Sequence, residues 1–560
     1  VARSGALSSA IMAAGTLVSR VLGFVKTFLI TVALGATTTV GDIFETANTL
    51  PNLIYVLVAG GIFNAVLVPQ IIKAAKHDDG GSDYVSRLVT LAISGIAAVT
   101  AVVLPFSWPI IAVMGSKWTP EQQHFGWIFA LWCLPQIFFY GLYTVLGQVL
   151  NARGAFGWYM WAPVLNNVVA IAALVVFIMA FGPQDVTTNP PFHNLESWTS
   201  AQTLVLAGSA TLGVALQALI LFIPLRKVGL KLRPKFGWRS IGLGTAANLA
   251  GWTLATGIIS NLAFLYLAKV AAGVVGARED FLAMGVQIPG VQALNYSSML
   301  YSLPHGVIGL SIATVLFNRM SAASQDDDHT SVATTLSSGL RTASIATIFC
   351  AVALIVFAGP IGMIFGGGSQ QAGAVIGQTI AVIALGGPFL TIAFMMGRVF
   401  YSQEDAKTPF YIQLFSAVVI MAMGFIASRL ASQHIIYGLA LTYALQNVLA
   451  VYLNHRVLAR RLGDYGVREL VSTHARVSFA SIGAGLAGAA ALYLLGGYTF
   501  DGFAWASRGS AFITVLTGGV VMAIAYYAML MLFRVRELDT LMNPIMAKIG
   551  MRRPTARHRG

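Results

Sequence analysis

The feature that most limits what this chain can become is a recurrence of long apolar runs. Each runs about 20 residues or more, and polar or Gly/Pro breaks separate them. As a helix, such a run spans the hydrocarbon of a bilayer, which is about 30 Å thick. Fourteen spans are expected, at about 6–34, 43–72, 86–114, 123–150, 158–182, 201–224, 240–271, 283–317, 333–358, 373–400, 408–428, 435–455, 474–497 and 508–533. Of the 560 residues, 57% are hydrophobic and 10% charged. A soluble domain carries roughly 25% charged residues. The class is therefore an all-α polytopic membrane protein. The 57 glycines suit close helix–helix approach in lipid.

Arg3 precedes the first apolar run, as in a signal peptide, but the run is too long and is interrupted by Arg20 and Lys26. It reads as the first membrane helix. The net charge of +14 would suggest nucleic acid in a soluble protein. Here the distribution of cations over the loops explains it, and no nucleic-acid partner is expected. One alternating set of loops holds 27 Lys and Arg. The other holds 4, namely Lys117, Arg278, Arg429 and Arg508. The positive-inside rule makes the first set cytoplasmic, with both termini inside the bacterial cytoplasmic membrane.

A weak repeat lies about 250 residues apart. Leu50-Pro51 is echoed by Leu303-Pro304, Val66-Leu67-Val68 by Val315-Leu316-Phe317, and Gly147-Gln148-Val149-Leu150 by Gly397-Arg398-Val399-Phe400. The expected organisation is two six-helix lobes related by pseudo-two-fold symmetry: an N-terminal lobe at 1–225 and a C-terminal lobe at 226–460. Helices 13 and 14 follow at 461–535, then a basic cytoplasmic tail at 536–560. Repeated halves are a transporter architecture, with the substrate site near mid-membrane.

Arg20 and Lys26 carry the functional argument. A charge at mid-bilayer costs roughly 2.5–3.5 kcal/mol on insertion scales, so it faces a wet cavity or a partner. No run of carboxylates lies nearby to neutralise both. These cations are expected to line a cavity that receives an anion. In the second span Asp42, Glu45, Asn48, Thr49 and Asn52 form a polar stripe, with Pro51 able to kink the helix. Glu45 could pair with Arg20 or Lys26, or serve a proton- or cation-coupled switch. Lys269 lies late in the seventh span. It either snorkels to the interface or joins the cavity. The eighth span adds Gln292, Asn295, Ser298, Ser302 and His305 at helical spacing. Such a stripe fits a wet wall or helix–helix hydrogen bonding. Cys133 and Cys350 read as small buried hydrophobes. There is no HExxH, Walker loop or GxSxG, and Asp326-Asp327-Asp328 reads as a solvated loop. No catalytic residues, metal or cofactor are expected. Coupling to membrane potential, sodium or protons is left open.

Four stretches resemble the MurJ (MviN) lipid II flippase family of the multidrug/oligosaccharidyl-lipid/polysaccharide (MOP) exporter superfamily. Ser19-Arg20-Val21-Leu22-Gly23-Phe24 resembles the first-helix motif. Leu50-Pro51-Asn52-Leu53 with Gly61, Phe63 and Val68-Pro69 resembles the second helix. Leu150-Asn151, Phe156, Ala162-Pro163 and Asn167 resemble the fourth-to-fifth turn. Phe400 through Pro409 resembles the tenth-to-eleventh connection. The resemblance implies a flippase with a cationic central cavity. Its cargo would be lipid II, a polyprenyl-pyrophosphate bearing a disaccharide-pentapeptide, moved from inner to outer leaflet by alternating access. It implies membrane lipids as surroundings and cell-wall synthesis or division proteins as further partners. Several family charges are replaced here: Ile54, Tyr55 and Val56 follow the Leu-Pro-Asn-Leu motif, and Gly60, Thr27, Ser298, Met299 and Ser302 stand where charged residues are common. Arg20, Lys26 and Lys269 would then hold the pyrophosphate. Two rival readings are an exporter of another lipid-linked oligosaccharide or drug, and a non-transporting scaffold for cell-wall synthesis. A drug-cation exporter would carry an acid where this chain has Arg20.

Overall fold

The computed structural model describes residues 2–57, 82–188, 190–227, 233–235, 247–367 and 369–538, excepting the side chains of 2–13, 156 and 247–250. Among the described residues the regular structure is helical throughout. Thirteen helical spans are long and apolar enough to cross a membrane, from Ala14–Leu34 to Arg508–Leu532. They coincide in order with thirteen of the fourteen expected spans. The remaining one, expected at 43–72, is described as the helix Thr39–Tyr55. The rest of it lies outside the described residues. So do Gly60, the Val66-Leu67-Val68 echo, Gly61 through Pro69 of the second-helix motif, and the tail from 539. The protein is thus a multi-pass membrane protein. Its outer side chains match that setting: Met179 is 81% and Leu494 83% exposed, a cost in water but not in lipid.

By contact the chain forms two units. One comprises Val1–Tyr296, Phe365–Val375 and Ala406–Leu439; the other comprises Ser297–Ile364, Ile376–Asp405 and Ala440–Gly560. Contact grouping and helix order are different partitions. The helices Ala247–Ala272 and Val275–Ala283 follow the expected boundary at 225/226, yet they group with the residues before it. Side-chain ties to the second helix hold the shorter of these there.

In the first unit, Val85, Leu88, Val89, Ala92 and Ile96 fall at helical spacing on Ser82–Val103. They meet Leu142, Val145, Leu146, Val149 and Leu150 of Gln136–Ala152 in a shared core. The first helix, Ala2–Leu34, packs along Phe156–Phe181. There Asn167 Nδ2 donates to the Ser19 carbonyl at 2.8 Å and to its hydroxyl at 3.2 Å. This fixes which face of the first helix is turned away from that neighbour.

Side-chain hydrogen bonds hold together the described residues of the connection between Phe156–Phe181 and Ser200–Thr203. His193 is buried, with Nε2 3.0 Å from the Gly182 carbonyl and Nδ1 3.0 Å from Gln202 Nε2. Gln202 donates, so the imidazole is held neutral, with its proton on Nε2. Burial pushes the His193 pKa below its ordinary value. Nearby, Asp185 accepts from the hydroxyl and amide of Thr187, which hold its carboxyl below the usual range.

In the second unit, the helices His329–Val356, Val467–Leu494 and Arg508–Leu532 pack as a group. Close approach depends on glycine. A Cβ at Gly518 would lie 2.5 Å from the Phe357 ring, and one at Gly488 3.3 Å from the same ring. Tyr526 closes the layer by donating to the Ile345 carbonyl at 2.6 Å. After Pro304 the backbone widens to π geometry over His305–Gly309, an adjustment that re-satisfies amides near a proline.

Candidate functional site

The second helix is the scaffold of the site. Thr38 caps its start by accepting from the Gly41 amide. Its positions 41–50 and the positions 291–300 of the helix Val291–Pro304 show the same order of buried and half-buried residues. In this register Glu45, Asn48 and Thr49 correspond to Asn295, Ser298 and Met299. The two helices also touch at matching positions. Asp42 Oδ1 accepts the Gln292 amide at 3.0 Å, and Glu45 Oε1 accepts Asn295 Nδ2 at 2.9 Å. At Glu45 and Asn295 the two expected polar stripes face each other.

Arg20 is half-buried in the apolar first helix. Among the described residues it has neither a hydrogen-bond partner nor a carboxylate within ion-pair contact. Lys26 is also half-buried. It interacts with Glu45 electrostatically, but no ion-pair contact forms between them. Glu45 is engaged by Asn295 instead. Among the described residues, neither cation of the first helix is in ion-pair contact with a carboxylate.

Lys26 borders a small cavity of about 60 Å³ with Asn48, Gln136, Tyr140 and Asn166. Gln136 Nε2 lies 3.2 Å from Asn48 Oδ1 and 3.1 Å from Thr211 Oγ1, which orients both amides. Ile30, Phe44, Leu174, Leu206 and Val214 complete the lining, so the Lys26 ammonium and these few polar groups converge on an otherwise apolar space. Arg20 does not line this cavity. Its six-residue offset from Lys26 places it on another face of the helix.

The other expected residues separate. Asn52 is exposed. Lys269 is half-buried, and its ammonium has no ion-pair or hydrogen-bond partner among the described residues. Ser298 is half-buried, while Ser302 turns its hydroxyl back to the Met299 carbonyl at 3.0 Å. In the second unit, His305 Nδ1 lies 3.2 Å from Thr391 Oγ1, and its ring meets Phe394 edge-on at 5.0 Å. His305 is thus a packed side chain within its own unit.

Sequence reading placed Arg278 in the cation-poor set of loops and offered Glu45 as a partner for Arg20 or Lys26 or as a coupled switch. The structure adds a deeper pair. Arg278 and Asp42 are both fully buried, with Nη2 to Oδ2 at 2.6 Å. Arg278 Nη1 also donates to the carbonyls of Thr37 at 2.6 Å and Ile288 at 2.8 Å. A Cβ on Gly290 would overlap both side chains. The partners lie 236 residues apart, so no local spacing reveals them. The one signal was Asp42 itself, a carboxylate beside apolar Ile43 and Phe44.

Among the described residues no group of His, Cys, Asp and Glu could hold a metal ion.

Residues 30–535 match the family described as Lipid II flippase MurJ. A protein of Vibrio cholerae named "Probable lipid II flippase MurJ" is 27% identical over 558 residues, covering 95% of this chain and 97% of its own. A "Lipid II flippase MurJ" of Burkholderia cenocepacia is 26% identical over 424 residues, covering 73% and 76%. Among solved structures, a lipid II flippase MurJ in an inward closed conformation superposes with a TM-score of 0.67 at 19% identity, covering 93% of this chain and 98% of that one. An inward-facing multidrug transporter of the MATE family and MOP superfamily superposes at 0.62 with 16% identity, covering 80% and 95%. These superpositions show a shared fold.

Proposed function

The chain belongs to the lipid II flippase MurJ family, and from that membership we propose how its own residues serve the transport of lipid II. The cargo is a lipid-linked peptidoglycan precursor, carried from the inner to the outer leaflet of the bacterial cytoplasmic membrane by alternating access. Both termini face the cytoplasm. Arg20 and Lys26 hold the pyrophosphate, and the prenyl tail stays in lipid. Asn48, Asn52, Asn295, Ser298, Ser302 and His305 offer polar surface to the sugars and peptide, and Lys269 supplies further positive charge. Coupling to membrane potential, sodium or protons drives the cycle. Glu45, beside Lys26 and bonded to Asn295, is the carboxylate suited to sense it. Membrane lipids surround the protein, and cell-wall synthesis or division proteins are its macromolecular partners.

One observation carries this reading. Arg20 sits half-buried in an apolar helix with no described protein group to neutralise it. Such a charge is retained at a cost of several kcal/mol only where a ligand or water completes it. A pyrophosphate bears charge enough for both cations, and a guanidinium matches phosphate oxygens bidentately.

The test is growth rescue. Cells depleted of their own flippase receive this protein or its Arg20→Ala variant at equal expression. Rescue by the parent chain and none by the variant supports the assignment. Full rescue by Arg20→Ala would remove it. Lipid II accessibility at the outer leaflet, measured in the same cells, separates this cargo from another lipid-linked oligosaccharide.

A further inference from the structure

The second unit carries a charged cavity that the transport reading does not use. It has a volume of about 660 Å³ and is lined by Ser338, Arg341 and Thr342 of His329–Val356, by the first turns of Val467–Leu494, and by residues just past Arg508–Leu532. Four arginines border it: Arg341, Arg468, Arg476 and Arg536. Two carboxylates accompany them, and both are drawn to the same cation. Arg341 Nη1 lies 2.5 Å from Glu469, and Arg341 Nε lies 3.1 Å from Glu537. Arg468, Arg476 and Arg536 are exposed and have no ion-pair or hydrogen-bond partner among the described residues. The lining thus has more arginines than carboxylates, and three guanidinium groups are available to an outside anion.

The level of the cavity identifies the anion's source. Arg341 stands just before the apolar stretch 343–356, Arg476 just before 477–494, and Arg536 just after 508–533. All three helices therefore change from polar to apolar at this layer, as at a headgroup boundary. On the apolar side, Phe479, Ile482 and Leu486 of one helix and Ile524 and Leu532 of another are exposed, as a surface for acyl chains would be. The chain beyond Asp539 has five Lys and Arg and no Asp or Glu, so its sequence supplies no counter-charge.

We propose that this cavity binds the phosphate of an anionic phospholipid, with Arg468, Arg476 and Arg536 holding the headgroup and the Ser338 hydroxyl donating beside it. The glycerol and acyl chains continue onto the exposed apolar faces below. A soluble phosphorylated ligand shares the same phosphate chemistry, but would have no use for those apolar faces. The site is separate from Arg20 and Lys26 and does not depend on their role.

The experiment measures lipid retention by the purified full chain. The protein is equilibrated in mixed micelles of phosphatidylglycerol and phosphatidylcholine, and co-purifying lipid is read by mass spectrometry. The chain should retain phosphatidylglycerol preferentially. The combined Arg468→Gln, Arg476→Gln and Arg536→Gln variant should lose at least about fivefold of that preference, consistent with loss of charge-assisted contacts. Each single variant, measured likewise, should lose part of it, which keeps the test available if the triple variant does not fold. Neutralising Arg226, Lys227 and Arg319, which do not line the cavity, should leave the preference intact. No preference in the parent chain, an unchanged preference in the variants, or an equal loss in the control would overturn the proposal. Inorganic pyrophosphate is the second probe. If it binds with the same arginine dependence while phosphatidylglycerol shows none, the ligand is soluble and the lipid assignment fails.

Discussion

Breaking the Asp42–Arg278 pair should destabilise the first unit more than any single polar change elsewhere in it. Both side chains are fully buried. Asp42→Asn keeps the shape and leaves a guanidinium without its counter-charge, a loss of roughly 3–5 kcal/mol for a buried pair. Arg278→Met strands Asp42 in the same way, at a similar roughly 3–5 kcal/mol. It also strips the Thr37 and Ile288 carbonyls of the Nη1 donor they share. Each orphaned carbonyl adds about 1–3 kcal/mol. The double variant Asp42→Asn/Arg278→Met loses those carbonyl bonds but strands no charge. Its cost should fall well below the sum of the singles, because neither of the two stranding costs, roughly 3–5 kcal/mol each, remains. The assay is equilibrium unfolding in mixed micelles followed by tryptophan fluorescence. An Asp42→Asn variant within about 1 kcal/mol of the parent, or additive singles, would refute the reasoning.

Three further outcomes follow from the same structure. His193 has a folded-state pKa below its unfolded value of about 6.5, so the unfolded chain binds more protons below that pH. Stability of the connection around His193 should therefore fall as pH drops below about 6.5, and the loss should be complete once pH passes below the folded value. Thermal unfolding across that range should show this, and His193→Gln should flatten the profile. Gly518→Val should cost about 1–3 kcal/mol by overpacking, because even a Cβ there meets the Phe357 ring at 2.5 Å; chemical unfolding reads it. Gln136→Leu removes the amide that touches both Asn48 and Thr211, and should cost about 1–3 kcal/mol in the same assay.

The membrane class and the position of nearly every span were legible in the sequence because lipid imposes a length and a composition. The repeat was legible as well, and the matching burial of 41–50 and 291–300 gives it a structural register. Arg20 and Lys26 stood out because a charge in an apolar run is costly wherever it points. What escaped was pairing across long chain separations. Asp42 and Arg278 are individually ordinary, one at a helix start and one between spans, and only the fold makes them a buried unit. The neutral wall of Gln136, Asn166 and Thr211 escaped for another reason: uncharged polar residues are common in membrane helices and give no contrast. His305 was legible only as a titratable residue beside a proline; the contacts its ring makes with Thr391 and Phe394 were not.

The claim beneath the functional reading is that the Arg20 guanidinium awaits a pyrophosphate. The most direct measurement is equilibrium binding of lipid II, and of the matching prenyl monophosphate, to the purified chain and to Arg20→Ala. A charge-assisted contact of about 1.5–3 kcal/mol corresponds to roughly 10- to 100-fold in affinity. The parent chain should prefer the pyrophosphate, and Arg20→Ala should lose that preference by at least about tenfold. Equal lipid II affinity in the two proteins would contradict the account.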